Sequence, residues 1–421
     1  MRQVHGFSRR EFLRQGGVGL FGLAVTAPAF LNALAREACA APDADERILV
    51  VIQLAGGNDG LNTIVPIRDD AYYKLRPNLS LKEKDLLKGG DDFAFHASCA
   101  GLKALYDNAQ LSIVQNVGYP NPNRSHFTAT DIWETASPDG VQHRGWLGRF
   151  FDAQCKGAER VTPESAIALT QEAPLTLQGM KYIPVAFSTP EELDWKQGRY
   201  PHLKKAFEKI SVAPEVNIGV ARTRPTLQGE LDYLERVSLD AQICAEKIKD
   251  ACHAKGRVAF PEHRLGRSFE YVAKLIHARM KTRIFYIHQG GYDTHTQQPD
   301  RHAKLLQELS DSLKAFIDDL AEQRNLERVL VMTFTEFGRR VGENGSRGTD
   351  HGAAGPMFLL GGPIIAGRHG GNPDLVNLNR GDLVHKIDFR QVYADVITNW
   401  LKADATQILG QAFSPPGVIR L

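Results

Sequence analysis

The chain has 421 residues, of which 43% are hydrophobic and 24% charged, a balance ordinary for a soluble globular protein and too apolar for a disordered one. Its formal net charge is +2 with both signs spread along the chain, so it lacks the basic footprint that a phosphate backbone selects, and nucleic acid is not an expected partner. No strong linker interrupts the sequence, and a single large α/β domain with insertions is expected.

At the N-terminus, Ser8-Arg9-Arg10-Glu11-Phe12-Leu13 precedes an uncharged, glycine-rich apolar stretch from Gly16 to Leu31, and Ala38-Cys39-Ala40 fits a small-residue cleavage site. This is the twin-arginine export pattern. It predicts a signal peptide over residues 1–40, passage through the twin-arginine translocase, and a periplasmic or extracellular destination. The apolar stretch is shorter than the ~20 residues that span a bilayer, so no stable membrane anchor is expected. After cleavage Cys99, Cys155, Cys244 and Cys252 remain, and without CxxC spacing they read as buried free thiols.

The mature chain begins with Arg47-Ile48-Leu49-Val50-Val51-Ile52-Gln53-Leu54, an apolar run that reads as a buried strand, ending in the polar loop Ala55-Gly56-Gly57-Asn58-Asp59-Gly60. Similar strand runs recur at Leu111 to Val117, Ile183 to Phe187, Arg283 to His288, Val329 to Thr335 and Met357 to Leu360. Helical patterns fall at Gly101 to Asn108, Thr226 to Ala254, His263 to Lys281, Arg301 to Glu322 and Phe389 to Leu401. The alternation predicts an α/β sandwich with a mostly parallel sheet, and the segment around 225–281 reads as a helical insertion. Several strands end in loops bearing Asp, His or Glu, and in such sheets ligands bind outside the carboxyl ends of the strands, where remote side chains converge.

Four segments carry candidate chemistry: Gly56-Gly57-Asn58-Asp59-Gly60; Asn123-Arg124-Ser125-His126-Phe127; His288 through His295; and Thr335-Glu336-Phe337-Gly338-Arg339-Arg340 with Gly348-Thr349-Asp350-His351-Gly352. Oxygen donors with imidazole suit a divalent metal such as zinc, manganese or magnesium, and two such ions can clamp the attacking and leaving oxygens of a phosphoryl or sulfuryl transfer. Asp59, Asp293, His295, Glu336, Asp350 and His351 are the candidate ligands. Asn58, Arg124 and Arg339 are candidates for binding an anionic substrate.

These motifs resemble those of the bacterial family of domain of unknown function 1501, within the alkaline-phosphatase-like superfamily. The resemblance implies an alkaline-phosphatase-like three-layer α/β/α sandwich and a metal-dependent hydrolase of phosphate or sulfate esters, whether small-molecule or polymer. It also implies that Asp59, after the first strand, is a metal ligand, joined by Asp293 and His295. His295 follows Asp293 at two residues where relatives leave a longer gap, and His302 is the alternative. Two registers are open for a later Asp-His-Gly motif: Asp350-His351-Gly352 itself, or Glu336-Phe337-Gly338 with His351 as a subsequent ligand. The second is preferred because the strand at Val329 ends directly at Glu336. Relatives carry a hydroxyl before a histidine that His126 would match, and this chain has Pro122 and Asn123 there. Ser125 is then the candidate nucleophile, with His126 beside it as the second catalytic candidate, at a helix start that favours anions; the alternative role of Ser125 is the N-cap of that helix, with a metal-activated water attacking instead. A rival functional reading is a catalytically inactive member that binds a ligand or an envelope partner.

Overall fold

Every residue of the segment Ile48–Ala55 except Gln53 is apolar, and in the computed structural model of the chain it forms β1 at the centre of the main sheet. The structure describes residues 47–154, 161–193, 243–362 and 364–420. The expected export signal with its cleavage after Ala40, Cys155, and residues 225–242 of the expected insertion lie outside the described residues.

The remaining strands are β2 (Ile64–Val65), β3 (Leu86–Lys88), β4 (Ala94–His96), β5 (Leu111–Gly118), β6 (Ala166–Leu169), β7 (Val185–Ala186), β8 (Ile284–Gly290), β9 (Val329–Phe334), β10 (Gly355–Gly361), β11 (Gly367–His369) and β12 (Ile387–Asp388). Among the described residues they form a nine-stranded sheet of order β11-β5-β10-β9-β1-β8-β6-β7, with β12 also on β5, and a small sheet β2-β4-β3. β10 runs antiparallel to both its neighbours, and the other pairings of the large sheet are parallel. The carboxyl ends of β1, β5, β8 and β9 therefore share one edge.

Alternation along the strands fills two cores, because successive side chains point to opposite faces. Ile48, Val50, Ile52 and Leu54 enter one cluster with Phe285, Ile287, Val329 and Val331. Leu49 and Val51 enter the other with Ile284, Tyr286, Leu330 and Met332. Among the described residues the helices include α1 (Asp70–Leu75), α2 (Ala100–Asp107), α3 (His126–Thr135), α4 (Trp146–Gln154), α5 (Arg264–His277), α6 (Gln298–Glu322), α7 (Phe389–Asp395) and α8 (Ala405–Leu409), and residues 243–253 are helical as well. α2, α5 and α6 cover the first face and α3, α4, α7 and α8 the second, giving the α/β sandwich with a mostly parallel sheet that the pattern predicts, in the three-layer α/β/α form that the resemblance implies.

Some elements differ from the sequence expectation. The strand expected over Ile183 to Phe187 contracts to β7, and the helix expected to Leu401 leaves α-helical geometry after Asp395 for a π turn at Val396–Trp400. Four-residue β6, α4 and the small sheet were not foreseen, being too short or too irregular in polarity to mark a period. α5 buries Leu265, Phe269, Val272 and Ile276 in the first core, so this part of the expected insertion is a helix of the sandwich itself.

Candidate metal centre

The shared strand edge brings the loops together. β8 ends at Gly290 and delivers Asp293 and His295; β9 ends at Phe334 and leads directly to Glu336; β5 leads to α3, whose first residue is His126. The long loop after β9 folds back on itself through a bridge between Arg339 and His351, and His351 thus returns to the edge just before β10. Gly56 lets the β1 loop lie against the β8 loop: its φ is +115°, and a Cβ there would collide with the backbone N of Asp293.

Four side chains converge. His351 Nε2 and His295 Nε2 each lie 3.1 Å from Asp293 Oδ1, and the two ring nitrogens are 2.9 Å apart. His126 Nε2 is 3.4 Å from Asp293 Oδ2. One ligand atom each from His126, Asp293 and His351 falls within 4.8 Å of the others. The opposite nitrogen of each ring is also engaged: His126 Nδ1 with Glu336 Oε1 at 2.8 Å, His295 Nδ1 with Asp350 Oδ1 at 3.2 Å, and His351 Nδ1 with the Arg124 carbonyl at 2.8 Å. A carboxylate or carbonyl at Nδ1 holds the proton there and turns the Nε2 lone pair inward. Three such lone pairs and a carboxylate face one small volume, an arrangement that repels itself unless a cation or shared proton lies between. The donor set fits a divalent ion.

Phe337, Arg339 and Asn344 fix these side chains. The Phe337 ring is 4.6 Å from that of His351 at 30° and 5.0 Å from that of His126, forming an apolar wall behind both. Asn344 Nδ2 donates to the His295 carbonyl at 2.9 Å and to Asp350 at 3.2 Å. Arg339 is buried and donates to the carbonyls of Gly57, Thr349, Gly56 and Tyr292 and to Asp293 Oδ1. Partial burial alone would raise the pKa of Asp293, but the hydrogen bond and the charge of Arg339 hold it well below the ordinary carboxylate range. Its side chain remains 44% exposed, so a ligand can reach the centre from solvent.

Several expected roles move. Asp59 does not join the cluster: it is 1% exposed, paired with Arg76 at 2.6 Å, and its carboxylate also accepts from Gln298 and from the Leu61 N–H. Burial would raise its pKa, yet the Arg76 charge and hydrogen bond leave it lowered. Arg76 in turn donates to the carbonyls of Val341 and Arg340 and to Asn62. Nothing in its local sequence signals this role. Asn58 is buried, with Oδ1 accepting from His302 at 2.9 Å and Thr63 at 3.1 Å, and so faces no substrate. His302 is buried with it, its pKa pushed down to about 4 by burial, and stands apart from the cluster. Glu336 and Asp350 hold imidazoles from behind instead of entering the ligand set. Arg339 is spent on the loop carbonyls and Asp293. Arg124 offers its carbonyl to His351 and pairs its side chain with Asp382. Ser125 is exposed at the start of α3, and its side chain makes no capping hydrogen bond.

A family model described as "Protein of unknown function (DUF1501)" matches residues 245–400, which include Asp293, His295, Glu336 and His351. No curated protein matches. Among solved structures, a protein in the alkaline phosphatase superfamily from Vibrio parahaemolyticus aligns at 9% identity over 91% of this chain and 71% of that one, with a TM-score of 0.34. The C-terminal periplasmic domain of EcEptC from Escherichia coli aligns at 8% identity over 89% and 91%, with a TM-score of 0.36. PsFucS1 sulfatase from Pseudoalteromonas sp. aligns at 11% identity over 88% and 70%, with a TM-score of 0.33. These likenesses are too distant to assign an activity or a residue role.

Proposed function

We propose that the chain is an exported, metal-dependent hydrolase of phosphate or sulfate esters on an alkaline-phosphatase-like scaffold, working with one divalent ion held by His126, Asp293, His295 and His351. The observation that carries this reading is the inward convergence of three Nε2 atoms on one carboxylate, with every Nδ1 engaged behind. Among the described residues one group of three or more His, Cys, Asp or Glu side chains could hold a metal ion, His126, Asp293 and His351, with His295 Nε2 beside it at 3.1 Å from Asp293 Oδ1; Asp59, the natural start of a second site, is already paired with Arg76. Three imidazoles and one carboxylate suit zinc better than magnesium. The twin-arginine pattern supports export and a periplasmic or extracellular location, and no helix of the described residues is long and apolar enough to cross a membrane.

A bound ion at this place would supply Lewis-acid polarisation of the ester and activation of water. The chain's own residues set the rest. Glu336, Asp350 and the Arg124 carbonyl keep the three imidazoles in one tautomer and orientation; Arg339 keeps Asp293 ionised and aimed; Phe337 excludes water from behind. The first N–H groups of α3, beside His126, favour negative charge on the bound ester. Ser125, exposed there with its hydroxyl uncommitted to the helix cap, is the candidate nucleophile, and attack by water is the alternative.

The test begins with export: protein recovered from the periplasmic fraction supports it, and protein confined to the cytoplasm opposes it. Metal content of the purified protein should be close to one zinc per chain, lost in His351→Ala, and a panel of phosphate monoesters, phosphate diesters and sulfate esters should be turned over only by the loaded form. Ser125→Ala abolishes turnover if the serine attacks and spares it if water does. A chain that binds no metal and hydrolyses no ester would instead favour a non-catalytic binding role for a ligand or envelope partner.

A further inference from the structure

Beside the metal centre two arginines share one buried carboxylate. Asp382 is 3% exposed on its side chain; Arg124 Nη2 pairs with its Oδ2, while Arg340 Nε lies 3.7 Å from its Oδ1, and the arginine side chains are 37% and 38% exposed. The Arg340 guanidinium forms no side-chain hydrogen bond among the described residues beyond that long ion pair, and Asp382 Oδ1 has no hydrogen-bond partner. One carboxylate cannot saturate two guanidinium forks that together carry ten N–H donors. Both arginines are anchored to the centre through their backbones: the Arg124 carbonyl accepts from His351 Nδ1 at 2.8 Å, and the Arg340 N–H donates to the Asp350 carbonyl at 3.0 Å.

We propose that Arg124 and Arg340, held by Asp382, form an oxyanion-binding rim for a sulfate- or phosphate-type group, and that filling the metal centre strengthens its hold on the anion. The second part rests on the metal reading above. The charges in contact with the centre and its rim explain the coupling. Asp293, Glu336, Asp350 and Asp382 oppose Arg124, Arg339 and Arg340, so with neutral imidazoles the set carries a single excess negative charge. A divalent ion converts that into a single excess positive charge and draws an anion to the partly exposed guanidiniums, whose planar forks match tetrahedral oxyanions bidentately. Asp382 limits the rim: it fixes the two side chains in place and cancels one of their charges, so the rim favours an anionic ester over a neutral one.

Calorimetric titration of the full chain with sodium sulfate, before and after zinc loading, tests this. Zinc should tighten sulfate binding by about tenfold or more, and Arg340→Gln or Arg124→Gln should each weaken binding to the loaded protein by about tenfold, the usual worth of a charge-assisted hydrogen bond. Arg340→Lys, which retains the charge without the fork, should recover part of the loss, and circular dichroism checks that each variant is folded. Sulfate affinity unchanged by both glutamine substitutions in zinc-loaded protein would overturn the rim and leave the metal centre standing. If the chain takes up no zinc, the metal-hydrolase reading falls, and the rim is decided on the metal-free chain by the same substitutions: a weakened affinity upholds it and an unchanged one overturns it.

Discussion

Asp59 and Asp293 make an instructive pair. Each follows a buried strand of the same sheet, β1 and β8 are hydrogen-bonded neighbours, and each carboxylate sits in a glycine-containing loop at the same edge. Yet Asp59 is sealed at 1% exposure against the Arg76 guanidinium, whereas Asp293 is left open among three imidazoles. Both pKa values are lowered. Each carboxylate meets a buried guanidinium, Arg76 at Asp59 and Arg339 at Asp293; the difference lies in what faces the rest of the carboxylate, which is packed protein at Asp59 and three imidazoles open to solvent at Asp293. A carboxylate at a strand end is thus open to a ligand only where the fold leaves part of it unsealed.

The largest effect expected from breaking this contrast is on stability. Asp59→Ala leaves Arg76 buried and unpaired, and should cost about 3–5 kcal/mol in urea unfolding while the folded fraction still binds zinc. Loss of zinc stoichiometry from folded Asp59→Ala would mean that the two carboxylates serve one site. Next comes Glu336→Gln, which removes the charge behind His126 and should weaken zinc affinity by about tenfold in a chelator competition; an unchanged affinity would remove Glu336 from the supporting role. The smallest effect is on the acid side of the stability profile. Because the folded pKa of Asp59 lies below the ordinary value of about 3.9, its ionised form contributes stability above that pH. That contribution is lost as pH falls below about 4 and through the folded value, with a slope of at most about 1.4 kcal/mol per pH unit for one proton. Asp59→Asn should flatten that part of the curve in urea midpoints measured from pH 7 to pH 3, and an unaltered slope would assign the acid sensitivity to other groups.

The sandwich was largely legible in advance. Strands buried on both faces must be apolar almost throughout, which is why 48–54, 111–117, 283–288 and 329–335 stood out, and α6 and α5 declared themselves by long helical periods. The short β6, α4 and the small sheet carry too few residues for a period to show. Within the site, Asp293, His295 and His351 could be picked out as donors of the right chemistry in strand-end loops. Their partners could not be ordered: Glu336 and Asp350 were expected to touch metal and instead stand one hydrogen bond behind, His126 was expected to be a catalytic residue and points its Nε2 into the donor set, and Arg339 was expected to meet substrate and is buried among loop carbonyls.

What the amino-acid order settled by itself was local and compositional: which stretches are apolar enough to be central strands, where glycines permit loops to touch, and which side chains can donate to a metal or an anion. The assignment of roles belonged to the tertiary structure alone, because coordination and ion pairing depend on separations of about 3 Å between groups that lie far apart along the chain. Arg76 reaches Asp59 across 17 positions and His126 reaches Glu336 across 210, and no local pattern encodes either meeting.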